Sequence, residues 1–342
     1  GKKIMKVKKR LFAGMLALAM LLSLNVTAFA EEPTYSDTDI VTVIKEYNAA
    51  NTGTRSPQED FEFVIAKESI KDQADGITLD NMPMPTVADA SFDEGEATGT
   101  ADIVIDLPDY TGVGIYTYKI TEKAGTTAGV TYDSTPIYLV VTVIQQGDKL
   151  VRVAAVHEDA VDGEKLGEND SAFTNTYSAG SLTISKDVTG LFGDKGKYFE
   201  FTVTLTNESD KTAPAEYVVT TSNAPGKTGY TNPTTITAGT PTTFWLKDGE
   251  SISIANLPYG VTYTVSENRE DYTAAIKLNG SDADSVTNEE IDTETETAEF
   301  TNAKGGTVDT GVYLDNLPYI IVFAGVLAAV AVLVIRRRRV DD

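Results

Sequence analysis

The sequence predicts an all-β protein of two tandem β-sandwich domains, flanked by a signal peptide (1–30) and a transmembrane helix (317–335). Three observations predict it. Between the ends, short runs alternate apolar and polar residues, are rich in Val, Ile, Thr and Tyr, and are separated by Gly, Pro, Asn and Asp. No apolar stripe of helical period runs longer than two turns. The body also repeats itself, with a Lys, a Glu and an Asn in the same order in each copy.

The elements follow in chain order. Lys6, Lys8, Lys9 and Arg10 precede an apolar run from Leu11 to Leu24, and Ala28-Phe29-Ala30 places small residues at a secretory cleavage site before Glu31. The first domain, 31–177, opens with Val41-Thr42-Val43-Ile44-Lys45. It continues through Ile103-Val104-Ile105, the run Gly114 to Glu122 and the run Ile137 to Ile144, and closes with Phe173-Thr174-Asn175. Ser178-Ala179-Gly180 is read as a linker short enough to make a fixed rod. The second domain, 178–303, opens with Leu182-Thr183-Ile184-Ser185-Lys186. It passes through Phe199 to Leu205, Ser251 to Ile254 and Gly260 to Glu267, and closes with Phe300-Thr301-Asn302. A segment at 304–316 leads to Leu317–Ile335, 19 uncharged residues. At about 1.5 Å per residue they cover about 28 Å, one hydrocarbon core. Arg336 to Arg339 begin a basic tail, 336–342, that holds this end in the cytoplasm.

Composition excludes several functions. The chain carries 28 Lys and Arg against 51 Asp and Glu, a net charge of −23, and most of the basic residues outside the body lie in the two end segments. An acidic body repels phosphate backbones, so no nucleic-acid partner is expected. The absence of Cys rules out disulfides, thiolate catalysis and Cys-based zinc sites, and a single His, His157, rules out His-cluster metal sites. No metal or cofactor is expected. Asp282, Asp284, Glu289 and Glu290 lie in an acidic, Thr-rich stretch, but it lacks the Gly and terminal Glu of a calcium loop. It is read as a solvated connection before the last strand. Trp245 is read as core or domain-interface packing. No Gly-x-Ser-x-Gly elbow accompanies His157, which is read as a solvated strand-end residue rather than part of a hydrolase.

The repeated trio is the informative feature. Side chains in a strand alternate faces. Val41, Val43 and Lys45 share a face, as do Leu182, Ile184, Lys186 and Val188. The same holds for Tyr116, Tyr118, Ile120 and Glu122, and for Val261, Tyr263, Val265 and Glu267. Phe173 and Asn175 pair in the first copy, Phe300 and Asn302 in the second. Each copy therefore points a Lys, a Glu and an Asn into its core. Burial lowers the pKa of Lys and raises that of Glu. A neutral amine is a nucleophile and a protonated Glu a proton carrier. Beside an Asn carboxamide they can form a Lys–Asn isopeptide bond with loss of ammonia, Glu122 and Glu267 serving as the promoting acids and polarising the carbonyl. The plain alternative is a buried salt bridge with the Asn as partner.

Thr307-Val308-Asp309-Thr310-Gly311, a hydrophobic span and an Arg tail resemble a Gram-positive cell-wall sorting signal, although Thr307 and Val308 stand where the common motif has Leu-Pro. With the trio, Gly129-Val130-Thr131-Tyr132, Leu246-Lys247-Asp248-Gly249-Glu250-Ser251 and Asn256-Leu257-Pro258, the chain resembles sortase-assembled backbone pilins of the streptococcal two-domain type, built from Ig-like, CnaB-type domains. The resemblance implies internal bonds Lys45–Asn175 and Lys186–Asn302. It implies a sortase that cuts between Thr310 and Gly311 and joins the Thr310 carbonyl to a Lys of an identical subunit, in a fibre held on the peptidoglycan wall. Lys165, in Asp162-Gly163-Glu164-Lys165-Leu166, is the first candidate for that amine and Lys149 the second. Tip or minor pilins and a host surface ligand are further partners it allows. The protein would be a sortase substrate rather than an enzyme. A wall-anchored adhesin that does not polymerise is the alternative.

Overall fold

The structure is a computed structural model. It describes residues 33–167 and 169–308, and Val322, Phe323, Val326, Leu327, Ala329 and Val330, which are helical. The expected signal peptide, the residues Asp309, Thr310 and Gly311, most of the 317–335 span and the basic tail lie outside the described residues. Among the described residues no helix is long and apolar enough to cross a membrane.

The described body is built of strands, and each alternating run named above falls within one, except that Gly260 and Val261 precede the strand Thr262–Asn268. The first half is a sandwich of two sheets. One has five strands in the order Thr86–Val87, Thr98–Asp106, Ile40–Ala49, Ser171–Tyr177, Val130–Thr131. The other has four, in the order Lys149–Glu158, Ile137–Gln146, Gly114–Glu122, Phe63–Lys71. The second half repeats the plan. Its opening strand, Ala179–Thr189, lies between Glu250–Pro258 and the closing strand Thr295–Ala303, and faces a four-stranded sheet that holds Phe199–Thr206 next to Thr262–Asn268.

In both halves the opening and closing strands are parallel neighbours. A hairpin cannot join parallel strands, so the rest of each domain intervenes as one long crossover. The first and last strands of each domain thereby lie side by side at the centre of a sheet, with the chain entering at one end of the pair and leaving at the other. Alternation then decides burial. Val43, Lys45 and Tyr47 are buried, as are Leu182, Ile184, Lys186 and Val188. The first core is rich in Tyr, with Tyr116 donating to Gly112 O at 2.8 Å and Tyr118 to Pro83 O at 2.6 Å, so their buried hydroxyls are satisfied.

Three local expectations differ from the structure. Ala179 and Gly180 already belong to a strand, so Ser178 alone separates the two halves. The acidic stretch 281–299 is not a plain connection. It contains the edge strands Ser281–Ala283 and Val286–Glu290, and buried Val286 and Ile291 fasten the second of these. Ladder bonds come from the backbone, and charged side chains suit an edge strand, so polarity concealed both. Trp245 takes neither core nor interface. Phe244 and Leu246 take the inner face, which leaves Trp245 on the outer face beneath the Lys227 ammonium.

The junction is laced by hydrogen bonds. Thr212 N donates to Thr126 O at 2.7 Å and Ala128 N to Thr212 O at 2.9 Å. The Asn256 carboxamide, on a residue with φ of 56°, bonds both the N–H and the carbonyl of Arg55 at 2.8 Å. Gly129 has φ of 76°, and a Cβ there would collide with Ser178 O.

Candidate isopeptide sites

Each core contains one cluster assembled from three strands. Lys45 and Asn175 come from the parallel pair, where Lys45 stands opposite Phe173 and Asn175 opposite Tyr47, an offset of two residues that puts both side chains on the inner face. Glu122 reaches them from the last position of Gly114–Glu122 in the facing sheet. The second domain reproduces this. Lys186 stands opposite Phe300, Asn302 opposite Val188, and Glu267 comes from Thr262–Asn268.

In the first site Lys45 Nζ lies 2.7 Å from Glu122 Oε2. The Asn175 carboxamide N–H donates to Glu122 Oε1. In the second, Lys186 Nζ lies 3.0 Å from Glu267 Oε1 and donates to Phe300 O at 3.4 Å, while Asn302 Nδ2 donates to the same Glu267 Oε1 at 2.7 Å. Both Lys and both Asn have no exposed surface. Burial pushes both Lys pKa values down and both Glu values up. The ion-pair contacts oppose these shifts without reversing them, so each pair tends toward amine and carboxylic acid.

The acid thus touches the attacking nitrogen and the nitrogen that would leave. It can take a proton from the first and give one to the second. A carboxamide plus an amine then becomes a secondary amide plus ammonia, with every atom accounted for. Carbonyl polarisation is the role the Glu was expected to play. In the first domain another group is placed for that role: Asp133 N donates to Asn175 Oδ1 at 2.8 Å. The Asp133 carboxylate is itself held by the N–H groups of Thr135 (2.8 Å) and Thr174 (2.9 Å). Asn302 Oδ1 is buried without a partner.

Sequence reasoning also missed an aromatic floor. Lys45 Nζ lies 4.5 Å from the Phe61 ring centroid, and Lys186 Nζ 4.7 Å from that of Phe199. A ring face excludes water from the amine while tolerating a cation. The signal was present, since Phe61-Glu62-Phe63 and Phe199-Glu200-Phe201 repeat the same tripeptide after each Lys.

The remaining candidates stand apart from these clusters. Lys165 is exposed and forms an antiparallel bridge with His157 at the end of Lys149–Glu158. Lys149 is exposed at the other end of that strand, in the turn after Gly147. Val308 is exposed, and Asp309, Thr310 and Gly311, expected to complete a sorting motif with it, lie outside the described residues.

Residues 41–178 match the family described as the Spy0128-like isopeptide containing domain, and residues 180–304 match one described only as a domain of unknown function. A pilin of Streptococcus pyogenes serotype M1 is 30% identical over 321 residues, 88% of this chain and 93% of that protein. The pilus tip adhesin Cpa of Streptococcus pyogenes is 35% identical over 136 residues, 39% of this chain and 18% of that protein. The crystal structure of the major pilin from Streptococcus pyogenes superposes with a TM-score of 0.52 at 26% identity, covering 78% of this chain and 99% of the other. With two parallel-closed sandwiches, a Lys, Glu and Asn brought together in each core, and this likeness along nearly the whole of a pilin, the chain belongs to the family of pilins that carry the Spy0128-like isopeptide containing domain.

Proposed function

We propose that the protein is the structural subunit of a cell-surface pilus, locked internally by Lys45–Asn175 and Lys186–Asn302 isopeptide bonds. One observation carries this reading: in both domains the amine and the carboxamide converge on the same buried acid. Two charged side chains spent on a salt bridge in the centre of a core would cost several kcal/mol of desolvation. A covalent amide removes that cost and ties the first strand of each domain to its last. Reaction happens once per site, so the protein is a substrate of its own fold rather than an enzyme.

Export by the 1–30 signal, retention by the 317–335 span and transfer of the Thr310 carbonyl to Lys165 of the next subunit complete the proposal. A sortase would supply the transfer, and the product would be a fibre anchored to the peptidoglycan wall. Intact mass tests the internal bonds. The protein should fall short of its sequence mass by two ammonia molecules, and Glu122→Ala and Glu267→Ala should each restore one. A full sequence mass would refute the chemistry. A ladder of high-mass species on the wall, lost in Lys165→Ala, tests polymerisation. Internal bonds with no ladder would instead indicate a wall-anchored adhesin.

A further inference from the structure

The only histidine of the chain is the cross-strand partner of Lys165. Glu158 N donates to Glu164 O at 2.9 Å and Leu166 N to Val156 O at 3.0 Å, which brackets His157 and Lys165 as a non-hydrogen-bonded pair. Side chains of such a pair leave the same face and approach more closely than those of any other antiparallel register. The turn that returns the chain is tight. Asp159 has φ of 57°, and a Cβ at Gly163 would collide with Glu158 O.

The ring is also oriented. His157 Nδ1 lies 2.9 Å from Gly163 O. A carbonyl oxygen only accepts, so Nδ1 carries the proton and Nε2 of the neutral ring keeps its lone pair. The same face continues through Tyr138, opposite His157, to Lys119, opposite Tyr138. The charged and titratable groups around the imidazole are therefore Lys165, Tyr138 and Lys119 across the sheet, and Glu158, Asp159, Asp162 and Glu164 along the turn.

We propose that His157 Nε2 accepts the proton that the Lys165 nitrogen sheds as it is acylated. This rests on Lys165 being the amine that joins subunits. The ammonium first loses one proton to water. The freed lone pair attacks the Thr310 acyl group carried by the transpeptidase, and as the C–N bond forms the nitrogen passes its second proton to Nε2. The acyl–enzyme bond breaks, the enzyme nucleophile takes that proton from the imidazole, and one amide is made with one proton released overall. A neutral imidazole lone pair suits this task.

The test reads amine reactivity on the full chain. A trace of an N-hydroxysuccinimide ester is added across a pH series, and acylation of Lys165 and Lys149 is followed by peptide mass spectrometry. In the wild type, Lys165 should acylate about tenfold faster than Lys149 at neutral pH. In His157→Gln that ratio should fall to near one at every pH, and in His157→Ala added imidazole should restore it. Equal Lys165 rates in wild type and His157→Gln would overturn the inference, and so would wild-type polymerisation in His157→Gln cells. A wall ladder that persists in Lys165→Ala would overturn the underlying reading instead, and the labelling result does not affect that outcome.

Discussion

The backbone N–H of Asp133 donates a 2.8 Å hydrogen bond to Asn175 Oδ1, while Asn302 Oδ1, its counterpart in the second domain, is buried with no partner. A donor already aimed at a carbonyl stabilises the negative charge that develops when an amine attacks it, and one such donor is worth about 10²–10³ in rate. The Lys45–Asn175 bond should therefore form at least about tenfold faster than Lys186–Asn302. A mass time course after pulsed cell-free synthesis, with each domain resolved by peptide mapping, reads both rates. Simultaneous closure, or the second domain closing first, would remove the role assigned to Asp133.

Each proposed bond would close a loop of more than a hundred residues. By the chain-entropy argument for cross-links, its loss should cost about 4–5 kcal/mol. Glu122→Gln preserves volume and hydrogen bonding but cannot shuttle a proton. It should regain one ammonia in mass and lower the melting temperature of the first domain by roughly 10–20 °C. Calorimetry that finds the same melting temperature with the ammonia regained would show that the bond adds no stability.

Force in a fibre would take unequal routes through the two domains. If load enters at Lys165, it runs through the closing strand to Ser178, into Ala179–Thr189, across the Lys186–Asn302 bond and out toward Thr310. The Lys45–Asn175 bond lies beside that route. Fibres of Lys186→Ala should extend under pulling as the second domain unravels, and fibres of Lys45→Ala should not. Equal extension in single-molecule pulling would place the load elsewhere.

The segment before the first strand is held by charge. Arg152 binds Asp37 through its guanidinium, and Arg152 N donates to Asp37 Oδ1 at 2.7 Å. The side-chain bond from Arg152 is the largest cause that holds the Asp37 pKa below its ordinary value. A lowered carboxylate pKa means stability that is complete above the unfolded value, near 3.8, and is lost as pH falls through the folded one. Hydrogen exchange at residues 35–39 should lose its protection as pH falls through that window in the wild type. In Asp37→Asn it should be fast at all pH values. Unchanged protection in Asp37→Asn would show that the backbone bonds alone hold the segment.

Much of the site was legible because strands have a period of two. Once Lys45, Glu122 and Asn175 fell on apolar faces, burial followed, and the second copy repeated the pattern. The same rule misplaced Trp245, since its size suggested the core whereas Phe244 and Leu246 had already taken the inner positions. Phe61 left a trace only in the repeated Phe-Glu-Phe tripeptide, and Asp133 left none, because it bonds Asn175 from a loop and such a contact leaves no mark in local spacing.

The sequence alone determined the class of fold and the six polar side chains that face inward, because alternation and hydrophobicity are local properties of the chain. Only the tertiary structure decided that each Lys lies beside its Asn on a parallel neighbour, that the acid approaches from the opposite sheet on the side of the leaving nitrogen, and that His157 stands across from Lys165. Those relations depend on register and on turns that bring distant segments together, and register is a property of the assembled sheet rather than of any one strand.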